Sequence, residues 1–518
     1  MAKESGQKNA MTRSGRYRRM TRRLLLIVGG VLVVVIARPA FFLWNVARHD
    51  VADRPTTPAG MIDDASSLNA TPVREIWPVP RDPALAEQQL QELLLRARRG
   101  KVKLSIAGAR HSMGGHSIAP DGIVIDMTPF RHMQLDTDAK ILTVGSGAIW
   151  HDILAYLDPL GFSVQVMQSN DSFTVGGSIS VNCHGWQFGR PPIASTVESF
   201  RLLTADGIVH NCSREENREL FSLALGGYGL FGIILDVRLR VASNVRYSVT
   251  RYVVPASEAM TIYREKVVAA GNAAMVYARM DVAADNFLRE AMIYVLAEDP
   301  PADGRLEQIS PAGFISLRRS IFRGSTDSEY GKRLRWDAET KLQPTLAASH
   351  YTRNQILDEG VEVFQNRSAD TTDILHEYFV QPEQLEAFIA ELQAIIPSSN
   401  TNLLNVTIRS VEEDTDTFLR YADRPLLSVV MLFSQARTAA ADVAMQNLSQ
   451  RLIDSALKLR GRYYLPYRLH ATPEQFHRAY PQAGDFFFDF KRHYDPDELF
   501  VNKFYLKYGQ SHVVTETN

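Results

Sequence analysis

The sequence predicts an α+β fold of two domains behind an N-terminal membrane helix, and three observations carry that prediction. Short apolar strands alternate with turns and amphipathic helices from Val73 to Val241; a second region of strands and helices follows to about residue 460; and a basic arm precedes an uncharged apolar run that opens at Leu24. At 518 residues the chain exceeds one ordinary hydrophobic core, and 45% hydrophobic with 22% charged residues is a globular composition, neither disordered nor fibrous. Lys+Arg 57 against Asp+Glu 58 leaves no basic excess of the kind that carries nucleic-acid affinity, so nucleic acid is excluded as a partner. Cys183 and Cys212, the only cysteines, are too few for a structural zinc or iron–sulfur site, and no metal is assigned.

The N-terminal elements come first. Residues 1–23 carry Lys3, Lys8, Arg13, Arg16, Arg18, Arg19, Arg22 and Arg23 against the single acid Glu4. Leu24 to Ala37 as a helix covers roughly 21 Å of a hydrocarbon core roughly 30 Å thick, and Ala40 to Trp44 completes the span if Arg38 snorkels. Residues 24–44 are therefore read as a single-pass anchor, with the basic arm cytoplasmic and the body on the opposite, periplasmic or extracytoplasmic, side. A cleaved export signal is the alternative, and Thr21-Arg22-Arg23-Leu24-Leu25 is similar to a twin-arginine pattern; no clean small-x-small cleavage site follows, so the anchor is favoured. Residues 45–72, polar and holding Pro55, Pro58 and Gly60, read as a linker, and 511–518 as a tail.

Within 73–242 the expected strands are Val102 to Ile106, Ile123 to Ile125, Ile141 to Val144, Phe200 to Leu203 and Ile233 to Val241, with a helix from Ile149 to Leu157 and a hairpin turn at Asp206-Gly207. The second domain, 243–460, adds strands at Glu377 to Val380, Leu404 to Ile408 and Leu427 to Phe433. Its helices run from Glu383 to Ile396 and from Asp442 to Leu459, each with an apolar face. Pro300 to Asp303 and Arg323 to Tyr330 read as loops.

Three glycine segments carry the chemistry. Gly108-Ala109-Arg110-His111-Ser112-Met113-Gly114-Gly115-His116-Ser117 leaves a strand and opens backbone N–H groups to an anion without side chains in the way. Val175-Gly176-Gly177-Ser178 through Asn182-Cys183-His184-Gly185 repeats the device, and two such loops in one α/β unit suit a dinucleotide. Gly227-Tyr228-Gly229-Leu230-Phe231-Gly232 satisfies G-x-G-x-x-G, but a helix precedes it and a strand follows, the reverse of the nicotinamide-dinucleotide fingerprint, so NAD is rejected. Cys183 reads as a buried small hydrophobe rather than a nucleophile.

In order and spacing these segments resemble the FAD-binding domain of the vanillyl-alcohol oxidase/p-cresol methylhydroxylase (PCMH-type) superfamily. Glu377-Tyr378-Phe379-Val380 and Tyr494-Asp495-Pro496 through Phe500-Val501-Asn502-Lys503-Phe504-Tyr505-Leu506 resemble its aldonolactone and alditol oxidase branch, typified by D-arabinono-1,4-lactone oxidases. The resemblance implies a two-part PCMH-type FAD-binding domain, residues 73–242 completed by 461–510, under an α+β substrate (cap) domain. It implies FAD contacts at Gly108, Ala109, Arg110, His111, Ser112, Gly115 and His116, at Gly176, Gly177, Ser178, Asn182, His184 and Gly185, at Gly232 and Ile233, and at Asn502. It also implies a covalent bond from His111 to the flavin, with His116 the second candidate. The activity implied is oxidation of a sugar-derived alcohol or aldonolactone by hydride transfer to flavin N5, with electrons passed to oxygen or a membrane acceptor. Because the anchor would hold the site near a bilayer, a dehydrogenase or epimerising oxidase on a lipid-linked sugar is the alternative enzyme, and a non-catalytic flavoprotein scaffold the alternative outside enzymes.

Catalytic groups are expected from the cap. Alternation along Leu404 to Ser410 places Asn405, Thr407 and Arg409 on one face, and Arg409 matches an active-site arginine of the alditol branch. Tyr467 stands where that branch has a lysine, with Arg468 and His470 beside it as further candidates.

Overall fold

The computed structural model describes residues 29–30, 36–54, 56–310, 313–343, 348–481 and 486–510. A helix from Pro83 to Gly100 opens the first domain: the Asp82 carboxylate accepts from Leu85 N–H, Pro83 fixes the first turn, and Lys101 ends it at φ 50°. Its buried face, Ala86, Leu90, Leu93, Leu94 and Ala97, has helical spacing and covers a parallel sheet of Glu75–Pro78, Ile123–Asp126 and Leu104–Ala107, with Ile123–Asp126 in the centre. The free edge of Leu104–Ala107 is taken by the C-terminal stretch: Leu104 N–H donates to Leu499 O and Val501 N–H to Leu104 O, each at 2.8 Å. The segment 461–510 thus reaches back to the glycine-loop strand.

A second, antiparallel sheet orders its strands Val209–Ser213, Val197–Leu203, Ile233–Ser243, Ile141–Gly145 and Met133–Asp136, with Phe162–Val164 on the far end of Ile233–Ser243. The Asp206-Gly207 turn joins its first two strands, with Gly207 at φ 88°. The helix Arg218–Ala224 precedes the third glycine segment and the strand Ile233–Ser243 follows it, as expected.

The cap is one eight-stranded antiparallel sheet in the order His350–Thr352, Arg246–Pro255, Glu290–Glu298, Ala273–Met280, Asn402–Val411, Leu426–Ala436, Thr371–Val380 and Arg462–Tyr463. Helices Leu385–Ile395 and Ala439–Lys458 bury Phe388, Leu392, Leu448 and Leu452 against one face; the other faces the FAD-type domain. The expected loop Arg323 to Tyr330 is shorter, because helices Ile315–Arg323 and Glu329–Asp337 close on it and the Ser328 hydroxyl caps the second through Gly331 N–H.

The N-terminal reading is corrected in part. The basic arm 1–23, most of the apolar run and the tail 511–518 lie outside the described residues, and among the described residues no helix is long and apolar enough to cross a membrane. Ala40 to Trp44, expected to finish the span, belong to a helix Arg38–His49 docked on the cap. Phe42 meets Tyr330 edge-on at 5.0 Å and lies over Gly324, and Arg38 sits 4.5 Å over the Tyr330 ring. Residues 50–72, expected as a linker, are also tied down: Asp50 pairs with buried Arg319, Asp53 and Arg54 N–H groups donate to Arg367 O, and Met61–Ile62 pairs with Thr71–Pro72. A polar, proline-bearing segment reads as linker by composition, but here its carboxylates and backbone find partners on the body.

Candidate active site

A cleft of about 1830 Å³ runs between the FAD-type domain and the open face of the cap sheet. Ligand pockets are typically about 300–1,000 Å³, so this volume suits a dinucleotide together with a second molecule. Its floor is the first glycine segment. Gly108 admits no side chain, since a Cβ there would lie 2.0 Å from Thr174 Oγ1; Gly115, at φ +68°, lies tight against Lys503. Arg110 is left-handed at φ 57°. The N–H groups of Ala109, Arg110, His111 and Ser112 meet no acceptor among the described residues, and all four residues line the cleft. His111 stacks on Phe173 with ring centroids 4.1 Å apart, and its Nε2 lies 3.2 Å from Ser172 O; burial holds it below the usual histidine range against that contact. His116 is more deeply set, between Tyr228 at 5.1 Å and Phe504 at 5.8 Å, and burial lowers its pKa to about 3.

The second segment begins a short helix, Val175–Ser180, capped by the Thr174 hydroxyl, and places Gly176, Gly177 and Ser178 on the cleft wall. His184 lies at its end and Gly232 opposite. Ser117 Oγ and Ser146 Oγ, both buried in the cleft lining, have no partner among the described residues. Backbone N–H groups and hydroxyls without partners among the described residues, together with bare glycines, fit the pyrophosphate and polar edges of FAD.

Residues 85–213 match the family described as an FAD binding domain. The chain carries an FAD-binding domain. It is 30% identical over 199 residues to cytokinin dehydrogenase 2 of Arabidopsis thaliana, covering 38% of this chain and 36% of that one. It is 28% identical over 166 residues to L-gulonolactone oxidase of Bos taurus, 32% of this chain and 38% of that one. It is 29% identical over 228 residues to an uncharacterized oxidoreductase of Rhodococcoides fascians, 43% of this chain and 50% of that one. The chain thus spans from about a third to half the length of these relatives.

Not every expected FAD contact of this flavoprotein lines the cleft. Gly115, Asn182, Gly185, Ile233 and Asn502 stand behind it. Asn182 binds Asp414 and Ala194 N–H; a Cβ on Gly185 would meet Met167 O at 2.0 Å; Ile233 is core. Asn502 donates to both His116 O and Tyr228 O at 2.9 Å, joining two glycine segments from the rear while its carbonyl caps Lys503–Tyr508. These residues hold the loops from behind the cleft lining.

On the cap side Asn405, Thr407 and Arg409 face the cleft as the alternation predicts, while Val406 and Ile408 enter the core; a bulge at Leu403/Asn405 turns Leu404 against Phe322. Arg409 Nη2 donates to Ser169 Oγ at 3.0 Å, and its buried Nε has no partner. Tyr467 reaches the cleft, but Arg468 and His470 do not. Arg468 pairs with Asp442 at 2.7 Å, and His470 binds Ser449 and lies 3.6 Å from the same carboxylate, so both turn toward the helix Ala439–Lys458. Along an irregular segment, side-chain direction is set by what the segment packs on, not by sequence neighbourhood.

Two cleft residues went unassigned in the sequence. Glu377 accepts from His184 Nε2 and Ser428 Oγ at 2.5 Å each and from Tyr467 OH at 2.9 Å. Burial raises its carboxyl, but His184 and Arg409 outweigh that and hold it below the usual range. Arg279 donates to Asn405 Oδ1 and pairs with Glu339 at 3.3 Å. Its signal was available as the alternation of Met275, Tyr277 and Arg279, which fixes one face of the strand Ala273–Met280. Cys183 is buried with its thiol pushed up to about 12, and neither cysteine is in a disulfide.

Proposed function

We propose that this flavoprotein is an oxidoreductase that oxidises a CH–OH group of a sugar-derived alcohol or aldonolactone. The observation that carries the reading is the convergence of Arg409, Glu377 and Tyr467 in the cleft, where Glu377 joins Tyr467 to His184 of the second glycine segment. When bound, FAD supplies a two-electron acceptor for the substrate's hydride. The chain's own groups handle the proton and the charge. Burial and the adjacent Glu377 carboxylate push the Tyr467 phenol well above its ordinary range, so it stays protonated and donates to Glu377. A substrate hydroxyl bound at the Tyr467 oxygen passes its proton there as Tyr467 passes its own to Glu377 Oε2. The Arg409 guanidinium stabilises the developing alkoxide. The wall of Asn405, Thr407 and Arg279 offers donors and acceptors to further hydroxyls of a polyol or lactone ring.

The L-gulonolactone oxidase relatives support the lactone class, and the cytokinin dehydrogenases name a competing, amine class. The purified holoprotein is mixed anaerobically with L-gulono-1,4-lactone, an alditol and a cytokinin while flavin absorbance is followed. Bleaching by the lactone or the alditol supports the reading; bleaching by the cytokinin alone, or by none of them, overturns it. Reoxidation by dissolved oxygen or only by a quinone then separates an oxidase from a user of a membrane acceptor. The apolar run at Leu24 and the basic arm before it support an anchored protein with its body on the extracytoplasmic side.

A further inference from the structure

Among the described residues, four of the large apolar side chains left exposed line the cleft, while others, such as Leu95, Val253 and Val443, lie outside it. Phe314 is 82% exposed, Leu342 56%, Leu317 48% and Ile315 38%, and all four line the mouth of the cleft. Monomeric proteins rarely leave such side chains contiguous on a surface without a partner for them. The helix that bears Ile315 and Leu317, Ile315–Arg323, is the one on which Arg38–His49 docks. Phe42 lies over Gly324, and Arg319 receives Asp50 and holds Glu362 O and Gln365 O at 2.7 Å, so the two helices are fixed side by side. Arg38–His49 turns Phe41, 67% exposed, and Trp44, 53% exposed, outward. Arg48 lies 5.5 Å over the Trp44 ring. An amphipathic helix with outward Trp and Phe and a basic end is the pattern of a segment lying in a membrane interface.

We propose that the mouth of the cleft is a bilayer-docking surface, in which Phe314, Ile315, Leu317 and Leu342 sit with Phe41 and Trp44 at the lipid interface and the cleft opens toward the membrane. Three things on this face name the occupant. The apolar run Leu24 to Ala37 ends one residue before the docked helix, so the chain itself delivers the rim to whatever that run enters. The docked helix carries Arg48 in its last turn, beside Trp44, where it complements anionic lipid. Residues 50–72 are bound to the body, leaving no free spacer between helix and cleft. Apolar side chains at such an interface sit about 5–10 Å into the headgroup and acyl boundary.

The inference adds to the anchor reading, and one experiment separates them. Because Cys183 and Cys212 are buried, a single new thiol is labelled selectively in the full chain. Phe314→Cys and, as a second site in case the first fails to fold, Leu317→Cys are tagged with an environment-sensitive fluorophore, with Ile208→Cys on the remote hairpin as control. Each is incorporated into phosphatidylcholine/phosphatidylglycerol vesicles containing lipids with a nitroxide near the headgroup end of the acyl chain. The expected result is loss of most of the fluorescence at 314 and 317 and little at 208. A chain that sediments with vesicles but keeps its full signal at 314 and 317 overturns the docking surface and leaves the anchor standing. A chain that does not sediment overturns both. Probes already shielded in detergent, with a doubled mass by light scattering, assign the rim to a second copy and overturn the proposal.

Discussion

The Tyr467 hydroxyl donates a hydrogen bond to Glu377 across 2.9 Å, tying the C-terminal segment to the cap strand Thr371–Val380 inside the cleft. In Tyr467→Phe the relay has no first acceptor, and in Glu377→Gln it has no final one. Turnover is expected to fall by about 10²–10⁴ in each, the usual worth of positioned acid–base groups. Because Glu377 is ionised below the usual carboxylate range, the acid limb of the parent's pH profile is expected under the ordinary glutamate value of about 4.3. An acid limb near neutrality would remove Glu377 from the proton path.

Arg409 is expected to act on the reaction and not on assembly. Among the described residues its guanidinium has one side-chain hydrogen-bond partner, Ser169, and it lines the cleft. Arg409→Ala should keep its FAD while flavin reduction in stopped-flow slows by roughly 10² or more. An unchanged rate would leave Arg409 as a structural donor to Ser169.

His111 is the expected point of covalent attachment. It faces the cleft with a neutral ring held against Phe173, whereas His116 is wedged between Tyr228 and Phe504. Acid precipitation should leave yellow colour in the pellet of the parent and none in that of His111→Ala. Colour retained in His111→Ala and lost in His116→Ala would move the bond to His116.

Asp442 sets an acid-stability limit. His470 and then Arg468 hold its carboxyl down to about 2 in the fold. A carboxyl with a depressed folded pKa adds stability above its unfolded value, about 3.9, and that contribution is lost as pH falls through the folded value. The gap in thermal midpoint between parent and Asp442→Asn should therefore be full at pH 6 and close between about pH 4 and pH 2. His470→Ala is expected to lower the midpoint while flavin reduction stays within a few-fold of the parent; a loss of about 10² would return His470 to the chemistry.

The C-terminal stretch is held by a buried pair. Lys491 and Asp495 meet with almost no exposure, and Asp495 also accepts from Leu499 and Phe500 N–H at 2.8 Å, just where the chain joins Leu104. Removing one partner of a buried pair typically costs about 3–5 kcal/mol, so Asp495→Ala should unfold at a markedly lower temperature. A variant with the parent's midpoint would show that the strand edge holds without it.

Local pattern determined much of this protein. Period-two alternation placed Asn405, Thr407 and Arg409 on one face, helical spacing placed the cap helices, and glycines following a strand marked the cleft floor, because each is a short-range consequence of backbone geometry. What local pattern does not encode is which distant groups meet. Glu377 and Tyr467 lie 90 positions apart and become one unit only when the C-terminal segment pairs Arg462–Tyr463 with Thr371–Val380. Asn182, Asn502 and Gly185 belong to the right motifs yet stand behind the cleft, and Arg468 and His470 follow Tyr467 but turn to Asp442, since packing decides where an irregular chain points. Residues 50–72 look like solvent-facing linker by composition. They fold onto the body because Asp50 and Asp64 find Arg319 and Gly115 N–H, partners that only the tertiary structure supplies.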